Sequence, residues 1–283
     1  MVHIAGVVGS GVMGSGVAQV FAQAGYKTIV VDRSEEQMER TREKIRRDLR
    51  FQKMMTGSAP KEGAEAVLDR IQFTTDLNAL QPCSFIVENI TENWDMKRGV
   101  YEKLNLICEP DCILGVNTSA ISITRVGSLV QRPDRVVGIH FMNPVPLKSM
   151  VEVIRSHHTS EDTLSSTKEV LHSLGKECVV VNDSVGFVTN RAMMIFVNEA
   201  VFMLQEQVAT AEEIDVLFKQ CFGHKMGPLQ TADLIGLDTI LKSLEVLYDG
   251  FNDSKYRPCP LLKKMVDAGL HGMKSGQGFY SYI

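Results

Sequence analysis

The stretch Val2-His3-Ile4-Ala5-Gly6-Val7-Val8-Gly9-Ser10-Gly11-Val12-Met13-Gly14 decides the fold, because an apolar run breaks into three glycines at fixed spacing. Val2 to Val8 reads as a buried strand. Beyond the glycines, Val17, Val20, Phe21 and Ala24 fall at i, i+3, i+4 and i+7, the stripe of a helix with one buried face, and Gly25 supplies its stop. Gly9 permits the tight turn, Gly11 lets backbone approach a pyrophosphate, and Gly14 lets helix and strand pack closely. Such a phosphate would sit on the exposed N–H groups at the helix start, beside Val12 and Met13. The glycines alone are equally consistent with a turn that binds nothing. Thr28 to Val31, however, forms a second strand that ends in Asp32, 23 residues after Gly9, where an acid would hydrogen-bond a ribose 2′-hydroxyl. The ordered set predicts a dinucleotide site. Asp32 favours NAD over NADP, since its charge repels a 2′-phosphate, while Arg33 is the residue that would meet such a phosphate.

Outward from this unit, short apolar runs alternate with helical segments through residue 183. The runs are Val2–Val8, Thr28–Asp32, Ile71–Thr75, Ser84–Asn89, Cys112–Ser119, Arg135–Phe141, Met150–Ile154 and Glu177–Asn182. Several are apolar without alternation, as in a mostly parallel sheet covered on both faces. From Gly186 the pattern becomes helical, over 190–207, 210–221 and 228–249. The reading is an α/β dinucleotide-binding domain over 1–185 and an all-α domain over 186–283.

Composition narrows the function classes. No apolar stretch reaches the 18 or so residues of a membrane helix. Thirty Lys and Arg against 34 Asp and Glu give a net charge of −4, which argues against a general nucleic-acid grip. The six cysteines show no CxxC pair and no metal-like spacing with histidine, so free thiols, no metal and a reducing compartment are expected. Glycines interrupt the first run, which leaves no signal-peptide pattern and makes the cytoplasm the expected location.

A dinucleotide domain names no reaction, so the site must be sought elsewhere. His140 stands at the end of the run Arg135–Phe141, and Glu152 follows twelve residues later inside Met150-Val151-Glu152-Val153-Ile154. A carboxylate within an apolar strand costs free energy unless it is paired. Adjacent strands would bring Glu152 to His140, orient the ring and raise its basicity, which suits a base for a hydroxyl proton near neutral pH. The alternative is a satisfied strand-end histidine and an unrelated edge glutamate, and spacing does not separate the two. Ser119 ends the run beginning at Cys112, on the ligand-binding side of an open sheet, and is also a candidate N-cap for a helix starting near Ile121.

Several motifs then match together: Gly9–Gly14; Val87-Glu88 with Glu92 and Lys97; Asn117-Thr118-Ser119; His140-Phe141-Met142-Asn143-Pro144; Val151-Glu152; Gly186-Phe187-Val188-Thr189-Asn190-Arg191; Gly227-Pro228-Leu229; and Lys274–Tyr280. Over essentially its whole length the sequence resembles the 3-hydroxyacyl-CoA dehydrogenase family. The resemblance implies a Rossmann-like domain, a helical domain forming a homodimer, and oxidation of a 3-hydroxyacyl thioester with NAD. It assigns His140 as the base, Glu152 as its partner, and Ser119 and Asn190 as hydrogen-bonding groups at the substrate oxygen. It places the cofactor on Gly9, Gly11, Val12, Met13, Gly14, Asp32, Arg33, Glu92, Lys97, Asn117 and Asn143. Dehydrogenases of small free 3-hydroxy acids share the dinucleotide domain but use a catalytic lysine, which the His140–Glu152 pair does not match. The family's non-catalytic crystallins are disfavoured by the complete set of Ser119, His140, Glu152 and Asn190.

Three departures bear on the thioester carrier. Thr56-Gly57-Ser58 replaces a lysine-containing turn common in the family, Asn89 replaces a small residue after Val87-Glu88, and Met273 stands where a basic residue is usual. Residues 40–53 carry Arg40, Arg42, Lys44, Arg46, Arg47, Arg50 and Lys53 against Glu43 and Asp48, a net +5. Such a helix is commonly a solvated face with i to i+4 charge pairs. Within the resemblance, Arg46, Arg47, Arg50 and Lys53 would meet the phosphates of CoA or an acidic acyl carrier protein. The second carrier would place the chain with the subgroup that oxidises acyl-carrier-bound groups for polyketide extender units.

Overall fold

The computed structural model describes residues 4–56 and 62–282, with backbone only for 53–56. The chain divides into two compact units, 1–183 and 184–283. Gly57 and Ser58, part of the departing turn, lie outside the described residues.

The first unit is one eight-stranded sheet in the order β3-β2-β1-β4-β5-β6-β7-β8. Its strands are β1 (Ile4–Val8), β2 (Lys27–Val31), β3 (Ile71–Thr74), β4 (Phe85–Glu88), β5 (Ile113–Val116), β6 (Val136–Phe141), β7 (Met150–Arg155) and β8 (Glu177–Asn182). All neighbours run parallel except β6 and β7, which are antiparallel. Helices α1 (Val12–Gln23), α2 (Glu35–Thr56), α3 (Ala64–Leu68), α4 (Trp94–Ile107), α5 (Ile123–Gly127) and α6 (Glu161–Ser173) connect the strands. The central strands β4, β5 and β6 are buried on both faces, whereas the edge strands β3 and β8 are partly exposed. Ala5, Val7, Val30, Phe85, Val87, Val137, Ile139 and Val153 lie in one core with Val17, Ala18 and Phe21 of α1. Strand order reverses between β1 and β4, and loops from these carboxyl ends form the crevice where open α/β sheets bind ligands.

Each expected strand is present: β8 has the expected bounds, β2 and β7 shift or lengthen by one residue, β3, β4, β5 and β6 lose one to three residues at an end, and Val2 and His3 of the first run lie outside the described residues. The second unit holds α7 (Thr189–Gln205), α8 (Ala211–Phe222), α9 (Pro228–Ile235), α10 (Leu237–Phe251) and α11 (Pro260–Asp267) around a core that includes Val197, Ile240, Leu244 and Tyr256. The helix expected over 228–249 is two helices. Gly236, at φ 102°, breaks it between α9 and α10. The apolar periodicity runs on across the break, so periodicity alone does not reveal it. Buried Asp233 then ties down the end of the chain by accepting from Phe279 N (3.0 Å), Tyr280 N (2.9 Å) and the Tyr282 hydroxyl (3.0 Å).

Candidate active site

The dinucleotide loop is built as its glycines require. Gly9 adopts φ 87° and accepts no side chain without strain. A Cβ on Gly14 would lie 1.8 Å from the carbonyl oxygen of Gly9, so helix and loop meet only because this residue has none. Gly11 is the N-cap of α1 without a side-chain cap, and nothing lies within 4 Å of where its Cβ would be. Open space over uncapped helix N–H groups fits a pyrophosphate. Val12 is 62% exposed at this mouth, whereas Met13 packs against the core.

Asp32 has a second task. Its Oδ2 accepts from Ser10 N (2.7 Å) and Ser10 Oγ (2.8 Å), so the carboxylate braces the loop. Oδ1 accepts only a long 3.3 Å bond from Ser34 N and is the oxygen left for a ribose hydroxyl. The carbonyl of Ser10 accepts from Thr41 Oγ1 (2.6 Å) and Gln37 Nε2 (3.2 Å), which anchors α2 to the same loop. Arg33 is exposed beside it.

At the far side of the crevice, β6 and β7 pair so that His140 and Glu152 are direct cross-strand partners. His140 Nδ1 lies 3.0 Å from Glu152 Oε2, and its Nε2 lies 3.2 Å from Ser119 Oγ. A carboxylate needs a donor, so Nδ1 carries the proton and Nε2 is the accepting nitrogen. His140 is 9% and Glu152 5% exposed, so their interaction is little screened. Ser119 is not a helix cap. Ser122 caps α5 by accepting from Arg125 N, which leaves the Ser119 hydroxyl to His140. Asn143 is exposed after β6, and Asn190 lies in the first turn of α7 in the second unit.

Three residues expected at the cofactor also make contacts within the protein. Lys97 is fully buried; its Nζ donates to both Glu88 oxygens at 2.8 Å and to Asn117 O at 3.2 Å, which uses all three hydrogens. Burial pushes the Glu88 carboxyl up, and the Lys97 ammonium pulls it back. Asn117 Nδ2 donates to Asn89 Oδ1 (2.7 Å) and its Oδ1 accepts from Phe141 N (3.3 Å), so it laces β4, β5 and β6 together. Glu92 Oε1 accepts from Thr118 Oγ1, Ser119 N and Ala120 N. Lys97 thus buttresses the carboxyl ends of β4 and β5 beneath the crevice through Glu88 and the Asn117 carbonyl.

The basic helix is mostly self-neutralised. Arg40 pairs with Glu36 (2.7 Å), Arg42 with Glu39 (3.6 Å), Lys44 with Asp48, and Arg46 with both Glu43 and Glu65. Arg46 thus staples α2 to α3. Arg47 and Arg50 are exposed, with no ion pair among the described residues. Arg47 lines a cavity of about 540 Å³ together with Gly11 and Val12 and with the bases and acids Arg40, Lys44, Glu36, Glu39 and Glu43. The side chain of Lys53 lies outside the described residues.

Sequence reasoning did not find Lys176. Its buried ammonium donates to the carbonyls of Val145 (2.6 Å) and Lys148 (2.7 Å), pinning the turn that joins β6 to β7. Burial lowers its pKa. A lysine after Gly175 at a strand start gives no signal of this.

A strand–glycine–helix unit with an acid at the end of β2 defines a dinucleotide-binding protein. Residues 4–184 match the description "3-hydroxyacyl-CoA dehydrogenase, NAD binding domain" and 186–282 match "3-hydroxyacyl-CoA dehydrogenase, C-terminal domain". The chain is 46% identical to the "Probable 3-hydroxybutyryl-CoA dehydrogenase" of Deinococcus radiodurans, covering 98% of this chain and 99% of that one. It is 41% identical to the 3-hydroxybutyryl-CoA dehydrogenase of Bradyrhizobium diazoefficiens, covering 98% and 94%. The crystal structure of (S)-3-hydroxybutyryl-CoA dehydrogenase from Ralstonia eutropha superposes with a TM-score of 0.95 at 37% identity over 100% of both chains. The chain belongs to the 3-hydroxyacyl-CoA dehydrogenase family, an oxidoreductase family whose cofactor is NAD.

Lys97→Met removes the cation from a fully buried carboxylate and should cost about 3–5 kcal/mol. Equilibrium urea unfolding is the measurement, and Glu88→Gln/Lys97→Met should recover much of the loss. An unchanged midpoint in the single variant contradicts the buttressing role.

Proposed function

We propose that this protein interconverts 3-hydroxyacyl and 3-oxoacyl thioesters with NAD, using His140 as the acid–base group. The observation that carries this reading is the contact of His140 with Glu152 on one ring nitrogen and Ser119 on the other. NAD supplies a hydride acceptor at nicotinamide C4. In oxidation Nε2 of His140 takes the hydroxyl proton as the C3 hydride leaves; in reduction the imidazolium returns it. Glu152 stabilises that imidazolium and holds the ring's tautomer. The Ser119 hydroxyl hydrogen-bonds the substrate oxygen and so orients it toward Nε2. The role expected of Asn190 rests on its motif alone.

CoA is the carrier in the names of the relatives, and Arg47 and Arg50 are the groups offered to its phosphates. The same two exposed, unpaired arginines favour a second reading in which the carrier is an acidic acyl carrier protein. A homodimer fits the second unit, because α8 leaves the apolar side chains of Val216 (47%), Leu217 (56%) and Phe222 (70%) exposed, which a second copy would cover.

His140→Gln should keep NADH binding and lower turnover of acetoacetyl-CoA by about 10² to 10⁴. Stopped-flow and steady-state absorbance at the NADH band measure this, and near-normal turnover rejects the assignment. Arg47→Ala/Arg50→Ala should raise KM for the true carrier with kcat little changed. Comparing acetoacetyl-CoA with a carrier-protein thioester separates the two readings, since efficient turnover of the free CoA ester counts against the carrier protein. Phe222→Asp should convert a dimer to a monomer in light scattering, and a wild-type monomer at micromolar concentration removes the dimer.

A further inference from the structure

Ser119 sits in a stretch that has no ladder of its own. β5 ends at Val116, and residues 117–122 run as bends to α5. Thr118 is 3% and Ala120 7% exposed, so the N–H groups here need protein acceptors. One carboxylate oxygen supplies them. Oε1 of Glu92 accepts from Ser119 N at 3.2 Å, from Ala120 N at 3.1 Å and from the Thr118 hydroxyl, while Thr118 Oγ1 accepts from Ile121 N at 2.9 Å. Glu92 itself stands on a fixed base. Asn93 caps α4 by accepting from Met96 N, and Lys97, in the first turns of that helix, is held on Glu88.

We propose that Glu92 is a positioning residue whose carboxylate closes the Thr118–Ala120 turn and thereby holds the Ser119 hydroxyl on His140 Nε2. Hydrogen bonds to a carboxylate are about twice as strong as neutral ones, so three from a single turn fix its conformation. Without them the half-buried Ser119 N–H loses its carboxylate acceptor and the buried Ala120 N–H keeps only the long 3.3 Å bond to Thr118 Oγ1, so the turn must rearrange to recover one. The Ser119 Oγ to Nε2 distance of 3.2 Å depends on that turn. A shift of about 1 Å in a group that orients substrate is enough to cost on the order of 10²-fold in rate. The inference rests on the reading of His140 and Ser119 as the groups that handle the substrate hydroxyl. It differs from a cofactor contact, which would place the effect of Glu92 in NAD affinity.

The experiment is a double-mutant cycle with Glu92→Ala, Ser119→Ala and the pair, with Glu92→Gln as the milder variant and thermal melting as the folding control. Turnover is measured with acetoacetyl-CoA and NADH, NADH affinity by fluorescence, and the His140 titration by NMR, with its resonance assigned by loss in His140→Gln. Glu92→Ala should lower kcat about 10- to 100-fold with NADH affinity within about twofold. Glu92→Gln, which keeps an acceptor oxygen, should restore part of the rate. In the Ser119→Ala background Glu92→Ala should add little, and both single variants should move the His140 midpoint in the same direction. Rate losses that multiply in the double variant, or a loss confined to NADH affinity, overturn the proposal. Full turnover in His140→Gln instead defeats the functional reading. If no thioester turns over, the NMR titration decides: an unmoved His140 midpoint in a folded Glu92→Ala protein rejects the positioning role.

Discussion

The antiparallel pairing of β6 with β7 is the constraint on which the site depends. Side chains alternate faces along a strand, so a slip of one residue would carry Glu152 to the opposite side of the sheet from His140. The register puts the two directly across from each other, and the turn over 142–149 sets it. That turn is held by a buried ammonium, since Lys176 donates to the carbonyls of Val145 and Lys148 from the start of β8. β8 in turn pairs with the strand that carries Glu152. Reversal of strand direction at this edge of a parallel sheet therefore creates the one contact that a parallel neighbour, with its long crossover, would not supply at twelve residues' spacing.

Charged groups recur around the crevice, and each has a partner that offsets part of the cost of burying it. Glu88 has Lys97, Glu152 has His140, Lys176 has two carbonyls, and Asp32 has both donors of Ser10. An unpaired buried ion would cost several kcal/mol, whereas an apolar pair of similar size at β4 and α4 would serve stability as well or better. Glu88 and Lys97 are polar at a place where packing alone has no need of it. What the ion pair adds is direction: Lys97 also donates to Asn117 O, and Asn117 then bridges Asn89 and the backbone of Phe141, next to His140. The carboxyl ends of β4, β5 and β6 are thereby tied at fixed relative heights.

Much of this was legible in the sequence, and the limits have physical causes. The central strands, buried on both faces, read as continuous apolar runs, and the partly exposed edge strands β3 and β8 were also read as strands. The glycine spacing with Asp32 located the dinucleotide loop, and a carboxylate inside an apolar run marked Glu152. The same rule applies to Glu88, whose partner nine residues on follows from asking where that charge goes. Side-chain bonds to backbone in irregular loops leave no such trace. Glu92 on the 118–120 turn, Lys176 on the 145–148 turn and Ser122 as the cap of α5 depend on loop paths that periodicity does not describe. The break at Gly236 was hidden for a related reason: both flanking helices bury apolar residues on the same core, so the stripe continues through a residue with positive φ.

Charge on α2 shows how far composition reaches. Residues 40–53 carry a net +5, but the full helix Glu35–Thr56 has seven basic and five acidic residues, and the acids lie at i±3 and i±4 from the bases they neutralise. Exposed pairs of this kind contribute only about 0.3–0.5 kcal/mol each, too little to explain why the helix is so highly charged. Their effect is on the local field, which they cancel along most of the helix. Arg42 goes further and lays its guanidinium over the Phe73 ring, 4.9 Å from its centroid, joining α2 to β3. Cancellation stops at Arg47 and Arg50, one turn apart, and Arg47 opens onto the cavity shared with Gly11 and Val12 of the dinucleotide loop. Among the described residues, a basic run that looked diffuse thus leaves Arg47 and Arg50 without an ion pair, and of these Arg47 stands at the dinucleotide loop. Focused charge of that kind steers an anionic partner to one place, which a uniformly basic helix would not do.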